Sequence, residues 1–359
     1  SAVVSVPSGT ASLTDCGIVP ALVSTIALDG RAAARRSLVE GAEDIGSPFC
    51  GGSNNCEEEE EEEESYADSL LKFISAQAIQ ILEGAIVTHN GALSAFHELK
   101  GVDILVRRLH VEVEKVKRSG GAMAGDRSPR PLRAARRVLL FSAVNCLTVV
   151  FHQHESSSAT DPANAPSGSA QLRKPELRDV LSEIMDNVDS YGGVLAALVA
   201  TFLSDVMNSD PRAVHFVHES GLAGSFLGLL KTSGDDDEAS NCGPPGLEPS
   251  GELIMALPNV LTALSLTEAG AKAVSEADPF PALLSVFCSP RYVMPASRCL
   301  LNEMAAIVGT GLDELMRHNP SLRRACLKAV VGAMNRAVRI GKELVSDEDG
   351  AVARAAAAA

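Results

Sequence analysis

Three segments, His89 to Leu109, Asp210 to Leu230 and Thr267 to Phe287, can be laid over one another without a gap. Their fifth positions are Leu93, Val214 and Ala271, and their eighth are Phe96, Val217 and Val274. The seventeenth are Leu105, Phe226 and Leu283, and the last are Leu109, Leu230 and Phe287. The tenth is glutamate each time: Glu98, Glu219 and Glu276. A helix breaker follows, Gly101, Gly221 or Pro279, so each block predicts a short helix, a tight corner and a second apolar helix. Such a unit cannot bury its own apolar face and must stack on neighbours of the same kind. The expectation is a helical solenoid, with a compact irregular helical domain as its rival, and with Gly101, Gly221 and Pro279 as structural corner residues.

Composition supports that choice. Hydrophobic residues make up 46% of the 359, yet aromatics only 4%, and tryptophan is absent. An interior of that size must be built from Leu, Val, Ala and Ile, the palette of helix packing. Apolar residues recur at helical spacing, as in Leu70, Leu71, Ile74, Ala78, Ile81, Leu82 and Ala85, and again in Leu139, Leu140, Ala143, Val144, Leu147 and Val150. No stretch alternates long enough to argue for a sheet. The chain begins at Ser1 and ends in alanines 355–359, which reads as a segment of something longer.

Low-complexity stretches interrupt the periodic ones: Gly41 to Asp68 with an unbroken Glu57 to Glu64, Ser119 to Pro131, Glu155 to Pro175, and Ser233 to Ser250 with Asp235 to Glu238. They lack the apolar content to pack and are expected to be disordered insertions. The resulting organisation is a partial N-terminal helical repeat over 1–40, a disordered acidic insertion over 41–68, a solenoid over 69–345 with insertions at 119–131, 155–175 and 233–250, and a disordered tail over 346–359.

Charge and motif content narrow the function. A net charge of −15 and a pI near 5.0 argue against a nucleic-acid binder. No stretch of about 20 uncharged apolar residues marks a membrane span. The eight cysteines fall at irregular spacings without a CxxC pair, as expected of reduced thiols in a cytoplasmic or nuclear protein. No phosphate-binding loop, dinucleotide fingerprint or nucleophile elbow is present, so no cofactor is expected. His152 and His154 lie two apart, on different helical faces, and His215 and His218 lack a third ligand, so packed imidazoles are favoured over metal ligands. Against the acidic background stands a basic stretch with Lys115, Lys117, Arg118, Arg133, Arg136 and Arg137, read first as a flexible linker leading into a positively charged helix start, and alternatively as a bipartite nuclear-import signal or a binding site for acidic partners. Ser128-Pro129 within it is a candidate phosphosite whose charge would partly neutralise the patch. The acidic runs are read first as solvated, and alternatively as attractors of basic client proteins.

One helix carries an internal proline. Glu252, Leu253, Met255, Ala256 and Leu257 run into Pro258 before Val260, Leu261 and Leu264 resume the apolar face. Pro258 lacks an N–H and should bend the helix or divide it, which makes it a structural residue that lets the apolar face follow a superhelix.

Some of these residues also carry a family likeness. Leu257-Pro-Asn-Val-Leu-Thr-Ala-Leu-Ser-Leu266, Gly270, Pro279-Phe-Pro-Ala-Leu-Leu-Ser-Val-Phe-Cys-Ser-Pro-Arg-Tyr292 and Leu312-Asp-Glu-Leu-Met-Arg-His-Asn-Pro-Ser-Leu322 resemble the second conserved N-terminal region of the giant HECT-type ubiquitin ligases, the Mule, Tom and plant UPL class. Gly101-Val-Asp-Ile-Leu-Val-Arg-Arg-Leu-His-Val-Glu-Val-Glu114 looks like the start of the same region, and Tyr191-Gly-Gly-Val-Leu195 with Gly221-Leu222 fits its middle. The likeness covers about Asp68 to Ile340. It implies a right-handed armadillo/HEAT-like all-α superhelix that scaffolds and recruits protein substrates, while ubiquitin transfer and the conjugating machinery belong to a distant catalytic domain. Met294-Pro-Ala-Ser-Arg-Cys299 departs from the HECT catalytic loop, since Arg298 rather than Thr precedes Cys299, so a structural thiol is expected there and no catalytic residue in this segment. A stand-alone armadillo-like adaptor without ligase activity is the alternative reading.

Overall fold

The computed structural model describes residues 7–28, 55–118, 130–158, 172–231, 246–293 and 298–357. Among these residues the chain is helical, with no strand, and it divides into two compact units, Ser1–Tyr191 and Gly192–Ala359.

The first unit contains α1 (Pro7–Asp15), α2 (Ile18–Ala27), α3 (Asn55–Thr88), α4 (Asn90–Glu98), α5 (Gly101–Arg118), α6 (Arg130–Ser158), α7 (Pro175–Asp186) and α8 (Val188–Tyr191). Its spine is the pair α3 and α6, which bury Ile79, Leu82 and Ile86 against Leu139, Leu140, Ala143 and Leu147. Gln80 Nε2 donates to Ser142 Oγ at 3.0 Å, and Glu83 lies close enough to Cys146 to act on its thiol, so contacts advance in the same direction on both helices and the two run parallel. Segments Tyr66–Thr88 and Leu132–Gln153 of this pair are long and apolar enough, by length and composition, to cross a membrane. Here they are core neighbours, and α3 carries a buried, ion-paired Lys72 within that span.

The second unit contains α9 (Gly193–Ser209), α10 (Pro211–Glu219), α11 (Leu222–Gly228), α12 (Gly251–Leu264), α13 (Glu268–Ala277), α14 (Phe280–Ser285), a 3-10 turn (Val286–Cys288), α15 (Pro290–Val293), α16 (Arg298–His318) and α17 (Pro320–Ala357). Here α9 packs on α12 and α12 on α16. A Cβ added at Gly193 would meet Ser250 at 2.3 Å, one at Gly251 would face Leu300 and Met304, and one at Gly311 would fall 2.5 Å from Pro258 Cβ. The contacts climb together from helix to helix, which is the parallel stacking of a helical repeat.

Each 21-residue block bridges two such long helices: α4–α5 between α3 and α6, α10–α11 between α9 and α12, α13–α14 between α12 and α16. Leu93, Phe96, Leu105 and Leu109 are buried, as are Val214, Val217, Phe226 and Leu230, and in the third block Val274 and Leu283. Ala271 and Phe287 are only half-buried, and the shared glutamates are exposed. The corner sits one residue earlier than two of the breakers. The left-handed residue is the twelfth of every block, Lys100 (φ 55°), Gly221 (φ 85°) and Asp278 (φ 40°), so glycine fills it only once. Gly101 has another reason to be small: its Cβ would lie 2.0 Å from the Phe96 ring. Pro279 follows its corner with φ −73°, an angle its ring fixes, and leads α14. The fourth position, Ala92, Ala213 and Gly270, is buried and small throughout, and at Gly270 a Cβ would strike the Leu264 carbonyl oxygen at 1.8 Å.

Pro258 neither ends α12 nor divides it: the helix runs unbroken from Gly251 to Leu264 with Leu253, Leu257, Pro258, Val260, Leu261 and Leu264 buried. Ser250 caps it, accepting from the Leu253 N–H at 3.4 Å.

Parts of the segments expected to be disordered are helical, and 130–131, at the end of another, already belong to α6. Residues 55–68 open α3, 155–158 close α6, and 346–357 continue α17. Glutamate and alanine are strong helix formers, and acidic residues at a helix start suit its dipole, so low complexity here does not interrupt the helix. The segments 29–54, 119–129, 159–171 and 232–245 lie outside the described residues, and with them Ser128 and Asp235–Glu238; the side chains of Glu57–Glu64, His154 and Cys299 do so too.

Candidate functional site

Helix α5 buries an apolar face of Leu105, Val106, Leu109, Val113 and Val116, and on that same face it carries Arg108 and, four residues on, Glu112. Glu112 is fully buried. Its Oε1 lies 3.5 Å from Lys72 Nζ of α3, 3.4 Å from Arg108 Nη2 and 3.4 Å from Lys115 Nζ, while Oε2 accepts from Arg136 Nε of α6 at 3.4 Å. Lys72, itself at 0% exposure, donates to both oxygens of Asp68 at 2.7 Å. Arg108 Nη1 donates to the Leu28 carbonyl at 2.8 Å, at the end of α2. One carboxylate thus ties together α3, α5 and α6, and through Arg108 reaches α2.

The electrostatics follow from that crowding. Burial pulls the Lys72 ammonium below the ordinary lysine value, against the opposite pull of Glu112 and Asp68. For Asp68, burial alone would raise the carboxyl, but the hydrogen bond and charge of Lys72, with Lys115 and Arg108 behind it, hold it below its ordinary value. A buried charge stripped of its partners is strongly destabilising, so the cluster favours arrangements of the helices that keep these charges together.

This arrangement divides the basic stretch. Arg136 is 4% exposed and turned onto Glu112, and Lys115 is drawn to the same carboxylate, so the core claims two of the candidate partner-binding residues. Lys117 and Arg118 remain largely exposed, pairing with Glu183 at 3.6 Å and Glu114 at 3.8 Å, and Arg137 is exposed and Arg133 half-buried on α6. Pro258, Gly101, Gly221 and Pro279 all sit at packing or corner positions, as described above. His215 is exposed and His218 half-buried, and no group of three His, Cys, Asp or Glu among the described residues is placed to hold a metal ion.

The surface shows something the periodicity had hidden. The buried stripe of α3 is Lys72, Ser75, Ala76, Ile79, Leu82 and Ile86, so Leu70 and Ile74, members of the helically spaced apolar series noted above, face outward with Tyr66 and Phe73. Tyr66, Leu70, Phe73 and Ile74 form an exposed apolar ridge, with exposures of 70%, 49%, 39% and 45%. On α17, Leu327, Val331, Met334 and Val338 form a second, spaced four, three and four residues apart along one helical face, all with large exposures.

Comparison with known proteins agrees with the likeness drawn from the sequence. The chain is 27% identical over 283 residues to the E3 ubiquitin-protein ligase UPL1 of Arabidopsis thaliana, covering 76% of this chain and 7% of that protein. It is 25% identical over 272 residues to the ligase ptr1 of Schizosaccharomyces pombe, 73% of this chain and 8% of that one. Over 273 residues it is 25% identical to the mouse ligase HUWE1, 70% of this chain and 6% of that one. It therefore spans less than a tenth of the length of these relatives. Residues 76–357 match the family model described as Domain of Unknown Function (DUF913), and a match over that much of the chain places it in that family.

Proposed function

We propose that this chain is a non-catalytic scaffold segment of a HECT-type E3 ubiquitin-protein ligase, holding protein substrates for a catalytic domain elsewhere in the parent protein. The similarity to E3 ligases supports the ligase context. The observation that carries the scaffold role is the pair of apolar ridges, Tyr66 to Ile74 on α3 and Leu327 to Val338 on α17, each displayed on a packed stack of helices. Large apolar side chains in rows on a folded surface mark places where other proteins bind. The reading is of an intracellular protein whose clients meet these ridges, with Lys117, Arg118 and Arg137 as further contacts for acidic clients and the acidic runs of the sequence for basic ones. The test uses the full-length parent with Leu70, Ile74, Val331 and Met334 changed to serine. Ubiquitin-thioester formation should persist while ubiquitination of client proteins falls. Unchanged client ubiquitination, or loss of the thioester, would refute the scaffold role.

A further inference from the structure

Helix α17 opens as a strongly basic stretch of an acidic chain. From Pro320 to Lys342 it carries Arg323, Arg324, Lys328, Arg336, Arg339 and Lys342 and neither Asp nor Glu, while the net charge of the whole is −15. One side of the helix is committed to the core: Leu322, Cys326 and Ala329 are buried, α17 packs on α14 and α16, and Cys288 Sγ donates to the Ala333 carbonyl at 3.4 Å. The ridge of Leu327, Val331, Met334 and Val338 lies on the opposite side, each residue at least 45% exposed. Its steps of four, three and four residues are those of a heptad seam, in which apolar side chains in single file meet a second helix. At about 100° per residue, Arg324, Lys328, Arg339 and Lys342 fall along one flank of that seam and Arg323 along the other, and all of them are exposed. Arg323, Arg324 and Lys328 form no ion pair among the described residues.

We infer that this face of α17 docks an amphipathic α-helix whose own apolar seam is flanked by glutamates or aspartates. The seam supplies the contact area, and the flanking cations select the sign of the partner and fix its register, as charges beside a heptad seam do. A basic partner meets only like charges there. A lipid surface fits less well, because a helix seated in one presents a broad apolar face with large anchoring side chains, whereas here four aliphatic side chains stand in one file. A partner that encloses a helix on all sides is excluded by the core packing of Leu322, Cys326 and Ala329. The inference rests on the reading of the α17 ridge as a docking face and adds the chemistry of what docks.

Fluorescence anisotropy with two labelled three-heptad peptides tests it, both with leucine at the seam positions, one with glutamate and the other with lysine on the flanks. The chain should bind the glutamate peptide about tenfold or more tightly than the lysine peptide, and raising the salt from about 0.05 M to about 0.5 M should weaken that binding about tenfold. Val331→Gln with Met334→Gln, and separately Arg324→Glu with Lys328→Glu, should each weaken it about tenfold or more. Both variants should keep the circular dichroism spectrum, since all four side chains are exposed. No binding of the glutamate peptide at about 100 μM, equal binding of the two peptides, or undiminished affinity in either variant overturns the inference. Adsorption to phosphatidylserine vesicles without peptide binding overturns it in favour of a lipid surface, and self-association that Val331→Gln with Met334→Gln abolishes does so in favour of a second copy of this chain. The full-length parent must bind the glutamate peptide as the chain does; if it does not, the ridge is covered by the parent's own helices and the docking reading fails as well. If client ubiquitination by the parent falls with the Val331 and Met334 changes but not with Arg324→Glu and Lys328→Glu, the docking face stands and the acidic partner does not.

Discussion

Replacing Glu112 by glutamine is a demanding test of how the first unit is held together. The change keeps the side chain's shape and removes its charge, leaving Lys72, Arg108 and Arg136 buried around a neutral amide, with Lys115 at the edge. Breaking a buried ion pair by removing one partner costs about 3–5 kcal/mol, because the surviving charge is left uncompensated in a poorly polarisable medium. Here several cations share the loss, and Lys115, 20% exposed, is partly relieved by water, so the expected cost is about 4 kcal/mol rather than a multiple of it. Lys72→Met is the informative counterpart. It removes a desolvated ammonium, substitutes hydrocarbon of similar length and leaves Glu112 with its other three cations, while Asp68, 18% exposed, loses its direct partner but is partly relieved by water, so the change should cost about 2 kcal/mol, half the cost of Glu112→Gln. Urea unfolding followed by circular dichroism measures both, read from the transition that the substitutions move, since the two units need not unfold together. The gap should persist in high salt, because buried pairs are poorly screened. If Glu112→Gln proves no more costly than Lys72→Met, the carboxylate is not the counter-charge on which the helices converge.

Other expectations are simpler to check. Leu261→Asp, at a fully buried position of α12, should destabilise the second unit by several kcal/mol (about 3 or more), while Glu252→Ala at the exposed start of the same helix should cost no more than about 1 kcal/mol, compared by thermal unfolding. Gly221→Val forces a branched side chain into the left-handed corner and should cost about 1–2 kcal/mol, whereas Lys100→Gly and Asp278→Gly relieve the same strain and should be neutral or stabilising by up to about 1 kcal/mol in the same measurement. Burial holds the His218 imidazole below its ordinary 6.5, opposed by the nearby Leu264 carbonyl and helped by His215. The unfolded chain therefore takes up a proton first on acidification, and the stability this residue contributes is complete above about pH 6.5 and falls as the pH drops below it. A pH series of urea midpoints should show that slope in the parent and lose it in His218→Gln.

Much of the fold was legible because the three blocks repeat their apolar positions and because helix spacing is a local signal. Lys100 and Asp278 at the corners were not, since nothing in either residue announces a left-handed conformation that neighbouring helices impose. The turned face of α3 has a related cause. Leu70 and Ile74 satisfy helical spacing as well as the true stripe does, and the choice between the two falls to Lys72, which local reading counts as polar and the ion cluster makes core. Glu112 did leave a trace: it lies on the row of Leu105, Leu109 and Val116, where a carboxylate is out of place unless cations meet it. Those cations come from helices α3 and α6, and their convergence is a property of stacking rather than of any window of sequence. The basic stretch misled in the same way, because proximity along the chain cannot tell Arg136, turned inward, from Arg137, turned outward.

The contact between Gly311 and Pro258 carries a consequence for how the second unit yields under load. At that point α12 and α16 meet through a ring carbon and a residue with no side chain, so the helices approach without interlocking. A junction of that kind is smooth along the helix axes: it resists compression, but little there opposes sliding. Pulling on the end of α17 loads first its own packing on α14 and α16, and once that parts α16 should shear past α12 at this smooth point, so extension would arrive in steps instead of as a single rupture.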